Sequence, residues 1–172
     1  MKNRVLQSIY QRWSVRHFTD RKVEKDTLIE LVRAAMAAPT GKDKRPWEFV
    51  VVTEREILDR LSDALPFAKM LSTATAAVVI CGNTDEQNGG SPYWFLDCSA
   101  ATQNLLLAAQ SMNLGSVWTA AYPYKERIDP VKDILSIPDH ITPLCVVPIG
   151  YPSKEPRVKD KFEIEKIHTE KW

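Results

Sequence analysis

The feature that most constrains the fold of this chain is a long segment near its middle in which nearly every side chain is apolar or small. Residues 92–113 follow Ser91, and Ser91-Pro92 is a pair typical of a helix start. The stretch Cys98–Ala109 contains no charged residue, so a helix formed there has no face suited to water. Because a domain of 172 residues has few other elements to cover such a helix, we predict that a second copy of the chain covers one of its faces.

Hydrophobic periodicity elsewhere predicts both helices and strands. Residues 25–38 have apolar side chains at the spacing of one helix face, with Thr27 and Glu30 placed as a capping box. Thr53 and Glu56 form a second capping box, which predicts a further helix. The other expected elements are helices at 4–12 and 127–136 and strands at 47–52, 76–81, 116–122 and 143–149. Since these elements mix without a strict βαβ order and no linker divides them, we predict an α+β fold in a single domain over residues 1–172.

Charge and cysteine usage exclude several classes of protein. The 23 Lys and Arg residues are balanced by 22 Asp and Glu, which argues against a general nucleic-acid binder. Cys81, Cys98 and Cys145 lack a CxxC spacing and the three histidines are scattered, so we expect no metal site and no disulfide framework. The N-terminal residues lack the apolar core of a signal peptide, and no run approaches the roughly 18 apolar residues of a membrane span. We therefore expect a cytoplasmic protein with no membrane partner.

The segment Arg12-Trp13-Ser14-Val15-Arg16 is the first with chemical interest. In an extended chain, alternate side chains project to the same side, so two guanidinium groups and a hydroxyl share one face. Arginine forks bind phosphate oxygens in pairs, and a hydroxyl adds a further donor. The spacing alone favours a solvated basic turn over a phosphate site.

A second segment of interest is the turn-rich loop Ala38–Trp47, which lies between a predicted helix and a predicted strand. It brings backbone amides, Thr40 and Asp43 to one edge of the expected sheet. Taken by itself, this loop also fits a plain helix-to-strand connector.

Taken together and in order, these segments resemble the FMN-dependent nitroreductase family. The shared pattern is RxSxR-x-F, an amphipathic helix, AAPT followed by PW-x-FVVV, the helix 94–109, and then GSVW and PIGYP near the end. The resemblance runs from about residue 6 to the C-terminus. It implies an α+β fold with a central mixed sheet flanked by helices, in an intertwined homodimer with FMN bound between the subunits.

The resemblance also implies which residues bind the cofactor. Arg12 and Ser14 would face the FMN phosphate and ribityl chain, and Arg16 would reach the pyrimidine edge of the ring. Loop 39–43 would come from the partner subunit, residues 118–121 would lie along the ring near N5, and Lys159 and Lys161 would close the phosphate site. The full set is Arg12, Trp13, Ser14, Arg16, Pro39, Thr40, Gly41, Asp43, Trp118, Thr119, Ala120, Ala121, Lys159 and Lys161.

Three positions depart from the usual family pattern. Asp43 stands where the family often has Asn, and a carboxylate cannot donate a hydrogen bond to a flavin carbonyl. Arg45 stands where Gln is frequent, and it either adds positive charge to the site or pairs with Asp43. Lys161 replaces a frequent Arg, which keeps the charge and loses the bidentate fork.

The activity that the resemblance implies is NAD(P)H oxidation, with hydride passing through bound flavin to a nitroaromatic, a quinone or a similar acceptor in ping-pong turnover. Arg16 would stabilise the negative charge of the reduced ring, and no protein side chain would be catalytic, since the flavin itself does the chemistry. No GxGxxG motif follows a strand, so NADH or NADPH must bind transiently in the flavin cleft. Lys42, Lys44 and Arg45 could select NADPH or simply be solvated. An FMN-storage or regulatory module without turnover is the alternative function.

Overall fold

The computed structural model describes residues 3–172. Five α-helices, five strands and four short 3-10 helices make up the regular structure of this part of the chain. The helices are α1 (Arg4–Gln11), α2 (Lys25–Met36), α3 (Arg55–Ala64), α4 (Trp94–Ser111) and α5 (Lys125–Leu135). The strands are β1 (Trp47–Val52), β2 (Ala76–Asn83), β3 (Gly115–Ser116), β4 (Thr119–Ala120) and β5 (Ile141–Gly150). The predicted α+β class is confirmed.

The strands form one sheet in the order β1-β2-β5-β3, with β4 also paired to β5. All the pairings between these named strands are antiparallel. The parallel component that makes the sheet mixed is an isolated bridge between Ser14 and Ser116. That bridge brings the N-terminal segment to the sheet edge, which matters for the site below.

Helices cover both faces of the sheet, and β2 shows how its sequence allows this. Val78 and Ile80 belong to the core cluster beneath α2 and α4, whereas Val79 and Cys81 belong to the cluster beneath α3 and α5. Successive side chains of a strand point to opposite faces, so an apolar strand without alternation is buried on both. All three cysteines are buried free thiols.

Helix α4 is buried on one side and partly exposed on the other in the single chain. Leu105 and Leu106 are buried, with 0% and 4% of their surface exposed. Residues 96, 100, 103 and 107 form an outer stripe, called here the outer stripe of α4, in which every residue is half-buried or exposed. Within one protomer the outer stripe is the face left for the predicted second copy of the chain to cover, and that coverage stays a prediction.

The predicted start of α2 at residue 25 is confirmed, but two other helix starts are wrong by one or two residues. Glu24 and not Thr27 stands at the N-cap position of α2, and Glu54 and not Thr53 at that of α3, and neither glutamate side chain makes a capping hydrogen bond. Ser91 does not cap α4: its hydroxyl accepts from the Tyr93 N–H at 3.0 Å and closes a turn one step earlier. Local hydrogen bonds of this kind compete with the capping geometry that the same side chains can adopt.

The predicted strand 116–122 is broken into β3 and β4. Ser116 pairs with Ile149 and Thr119 with Val146, so the two strands share one register and Val117 falls opposite Pro148. Proline has no N–H to contribute to a ladder, which explains the interruption. Within residues 3–172, no helix combines the length and apolar character needed to cross a membrane.

Candidate functional site

A cavity of about 1030 Å³ opens between two segments from opposite ends of the chain. One segment is 9–17, which comprises the last turn of α1 and the residues after it, and the other is 154–162, in the tail after β5. This space is called the cationic cavity below. It contains Arg12, Trp13, Ser14, Arg16, Lys159 and Lys161 among its lining residues, so the structure brings together these six residues of the predicted cofactor set.

The first segment is fixed to the sheet edge by short contacts. The Val15 N–H donates to the Ser116 carbonyl at 3.1 Å, and Ser14 bridges to Ser116 in parallel orientation. A Cβ atom at Gly115 would lie 2.6 Å from Val15 Cγ1, so glycine is needed there for the backbones to approach. Val15 is only 1% exposed and its side chain anchors the segment, while its neighbours Ser14 and Arg16 are left to face the cavity.

The tail enters the cavity antiparallel to the first segment. Phe18 bridges to Pro152, and the Ser153 N–H donates to the His17 carbonyl at 3.0 Å. The Arg21 guanidinium lies over the Tyr151 ring, 3.9 Å from its centre, and adds a cation–π contact at the same junction. Beyond this junction the tail is exposed, and it contributes its lysines to the opposite wall of the cavity.

The cavity concentrates positive charge that the protein does not neutralise. Its lining includes six cationic side chains and one carboxylate, that of Asp160; the cations are Arg12, Arg16, Lys154, Arg157, Lys159 and Lys161. None of the six is in the salt bridges found among residues 3–172. Arg16 donates one hydrogen bond, from Nη1 to the Ser14 carbonyl at 3.4 Å. Unpaired guanidinium and ammonium groups converging on one space are suited to bind a multiply charged anion such as a phosphate.

Loop 38–46 lies outside the cationic cavity of the same protomer and is strained. Lys42, Asp43 and Arg45 all have positive φ angles, of 55°, 54° and 49°. The Arg45 guanidinium holds both oxygens of Asp43, with Nε–Oδ1 and Nη2–Oδ2 distances of 2.7 and 2.6 Å. This hydrogen-bonded pairing lowers the pKa of Asp43 from its ordinary value. Of the two roles left open for Arg45, the structure shows the pairing with Asp43.

A buried carboxylate connects this loop to α4. The Gly41 N–H donates to Oδ1 of Asp97 at 2.9 Å, and Asp97 is 6% exposed. Its second oxygen, Oδ2, is buried without a hydrogen-bond partner among residues 3–172. Gly41 also packs against Tyr93, whose ring carbon would lie 3.0 Å from an added Cβ. The position of loop residues 39–43 therefore depends on the first turn of α4, a dependence that sequence reasoning did not identify.

Residues 118–121 lie at the edge of the sheet, two residues beyond the contact with Ser14. Thr119 is buried and its hydroxyl donates to the Val146 carbonyl, while the N–H of the buried Ala121 donates to the Leu144 carbonyl. Because alternate residues of a strand direct their N–H groups to opposite sides, the N–H of the exposed Ala120 points away from β5. Of the backbone N–H donors expected along 118–121, only those of Trp118 and Ala120 thus point away from β5, where a flavin could accept from them.

Two cations of the cavity, Lys154 and Arg157, are absent from the sequence-based set. Arg157 has a usable signal, since it alternates with Lys159 and Lys161 as Arg12 alternates with Ser14 and Arg16. Lys154 has no such signal. Only the antiparallel entry of the tail beside His17 places it in the cavity.

Comparisons with known proteins all find nitroreductase-type relatives, and the matches cover most of the chain. The model of the nitroreductase family matches residues 9–151. A protein of Methanothermobacter thermautotrophicus named "Putative NADH dehydrogenase/NAD(P)H nitroreductase" is 40% identical over 169 residues, which cover 98% of this chain and 87% of that protein. A crystal structure of a protein with the same name from Parabacteroides distasonis has a TM-score of 0.95 and 51% identity, and the match covers 99% of this chain and 100% of that one. An FMN-dependent nitroreductase from Clostridium difficile has a TM-score of 0.90 at 27% identity, with 97% and 99% of the two chains covered.

Proposed function

We propose, from the premise that this chain belongs to the nitroreductase family and is an NAD(P)H-dependent flavin oxidoreductase, that its flavin is FMN and that its acceptors are nitroaromatic or quinone compounds. The observation that carries the proposal is the cationic cavity, in which unpaired charges from the two ends of the chain line one space. The name of the Clostridium difficile relative, which specifies FMN, supports the choice of flavin.

The residues of the cationic cavity fit a flavin with a phosphate group. A phosphate monoester carries about two negative charges at neutral pH and strong acceptor oxygens. Arg12 and Ser14 on one wall and Lys159 and Lys161 on the other offer donors of matching charge. The volume of about 1030 Å³ is just above the range for small-molecule sites, roughly 300–1,000 Å³. Arg16 would stand at the pyrimidine edge of the ring, where positive charge favours the reduced form.

A bound flavin supplies the hydride and electron transfer, so the chain needs no nucleophile or general base of its own. The part left to the protein is binding and access. The cavity lies at the surface beside an exposed tail, so NAD(P)H and the acceptor can enter the same space in turn. Ping-pong turnover follows from this sharing of one space, because the oxidised nucleotide must leave before the acceptor can enter.

The complete site in this proposal is shared by two copies of the chain. Loop 39–43 does not line the cationic cavity of its own protomer, and a partner subunit would bring its copy of the loop there. The outer stripe of α4 offers a surface for that partner. So do α1, which has no buried residue, and the tail, where Phe162 and Trp172 are 70% and 101% exposed. Large apolar side chains exposed on three neighbouring parts of one chain mark a protein interface.

Anaerobic reduction tests the proposed activity. The purified protein should be yellow, lose its flavin absorbance when NADH or NADPH is added without oxygen, and regain it when a nitroarene or a quinone follows. Initial rates with both substrates varied should give parallel double-reciprocal lines. A yellow protein that neither nucleotide bleaches is a storage or regulatory module, and a colourless protein that does not take up added FMN contradicts the cofactor assignment.

A further inference from the structure

We infer that Lys154 and Arg157 bind the 2′-phosphate of NADPH, so that this enzyme prefers NADPH to NADH. The inference rests on the proposed function, because it assigns the part of the cationic cavity that the flavin assignment leaves unused. It also moves the nucleotide-selecting charges away from loop 38–46, where the sequence placed them as a possibility.

The charge of the cavity exceeds what the flavin phosphate can neutralise. Six cationic side chains face one carboxylate in its lining, and none of the six is in a salt bridge among residues 3–172. An FMN phosphate brings about two negative charges. About three positive charges remain after the FMN phosphate, of which the pyrophosphate of NADH balances two, and a 2′-phosphate supplies negative charge for the third. A dianionic monoester matches a pair of cations.

Along the tail, the two residues precede the two lysines that are assigned to the flavin phosphate. Lys154 follows Ser153, whose N–H is bonded to the His17 carbonyl, so it lies at the end of the cavity where the tail enters. Arg157 follows three residues later and precedes Lys159 and Lys161, the residues assigned to the flavin phosphate. The order along the tail thus places Lys154 farthest from Lys159 and Lys161, with Arg157 between them.

The chemistry of the two side chains suits a phosphate monoester on a mobile ligand. A guanidinium fork binds two phosphate oxygens at once, and an ammonium group adds a point charge that tolerates different orientations. Both side chains are exposed, so their contribution is screened by salt. The alternative set in loop 38–46 is weaker, because Arg45 already holds both oxygens of Asp43.

Binding of the oxidised nucleotides to the FMN-loaded protein tests the inference without turnover. For the double variant Lys154→Gln/Arg157→Gln, we expect the Kd for NADP⁺ to rise about tenfold at low salt and the Kd for NAD⁺ to change less than about twofold. The variant should bind adenosine 2′,5′-bisphosphate more weakly, as it does NADP⁺, and its affinity for adenosine 5′-monophosphate should not change. Arg60→Gln is the matched control, since Arg60 is an exposed cation on α3, on the opposite face of the sheet.

Each other outcome overturns the inference. Equal weakening of NADP⁺ and NAD⁺ would assign the two residues to the pyrophosphate, and no change in either would remove them from nucleotide binding. Loss of FMN from the double variant would place them in the flavin site instead. All three results leave the proposed function intact, provided that the unaltered protein is yellow and bleached by a nicotinamide nucleotide. If the unaltered protein fails that test, the proposed function itself is wrong.

Discussion

The dry core around β2 and the cationic cavity are built on opposite principles. In the core, apolar side chains from neighbouring elements bury one another, and both core clusters form within one chain. In the cavity, like charges from two distant segments face one space without salt-bridge partners among residues 3–172. The comparison shows that different parts of the molecule serve stability and function. The core stabilises the folded chain, whereas the like charges of the cavity repel one another unless an anion is bound.

The largest expected effect tests the core side of this comparison. Leu105→Ala removes a fully buried side chain between α4 and the sheet, and the cavity it leaves should lower the free energy of unfolding by about 2–5 kcal/mol. Ile29→Ala, at a half-exposed position of α2, should cost about 0.5 kcal/mol or less. Urea unfolding of both variants measures the difference. A loss below about 1 kcal/mol for Leu105→Ala would mean that α4 is not a core element.

The next effect asks whether the outer stripe of α4 belongs to a second core that forms only between two copies. Leu107→Asp places a carboxylate at a half-buried stripe position, and we expect the dimer Kd to rise on the order of 100-fold, with loss of flavin at the same concentrations. Leu106→Asp is not a substitute, because Leu106 is buried within the protomer and its replacement would unfold the chain. Analytical ultracentrifugation with flavin absorbance measures both quantities together. A stable monomer that retains its flavin would exclude a site shared by two subunits.

The cavity side is tested by removing donors from its first wall. Arg12→Ala/Ser14→Ala should weaken FMN binding by about 30-fold, because charge-assisted hydrogen bonds to phosphate are lost. The free energy of unfolding of the flavin-free protein should stay within about 0.5 kcal/mol of the unaltered value or rise, since like charges are relieved. Fluorescence titration with FMN and urea unfolding of the apoprotein give the two numbers. A variant with unchanged FMN affinity would contradict the phosphate assignment.

The smallest expected effect is a pH dependence of the free energy of unfolding, which comes from a cysteine of the core. Burial raises the pKa of Cys81 to about 12, and the charge of Glu48 adds to the increase. The thiol is thus protonated in the folded state well above its ordinary pKa of about 9.0. The resulting stabilisation is complete below pH 9 and is lost as pH rises toward 12, by about 1 kcal/mol at pH 10. Unfolding at pH 8 and pH 10 should show this decrease in the unaltered protein and a smaller decrease in Cys81→Ala. Equal slopes in the two proteins would show that Cys81 does not contribute.

Sequence periodicity predicts the core closely because local patterns determine it. The bounds of β1 agree with the prediction at both ends, since WEFVVV is apolar apart from the exposed Glu48. The errors lie where one residue has two local options. Ser91 can cap a helix or close a turn, and Pro148 interrupts a strand that pairs with it from a distance.

The site was less predictable because its parts are far apart in the chain. The pattern of Arg12, Ser14 and Arg16 is visible in the sequence, but their meeting with Lys159 and Lys161 depends on a tail held by two backbone contacts near Phe18. Lys154 carries no pattern at all and enters the cavity only through that contact. Asp97 stands between apolar residues in the sequence, and only the structure shows its bond to loop 38–46.

The most direct test of the central claim is a comparison of FMN with riboflavin, which has the same ring and lacks the phosphate. If the cationic cavity holds the phosphate, the flavin-free protein should bind FMN at least about 100-fold more tightly than riboflavin at low salt. This preference should shrink in Arg12→Ala/Ser14→Ala and as salt increases. Equal affinity for the two flavins would show that the unpaired cations serve another ligand, and would contradict the account.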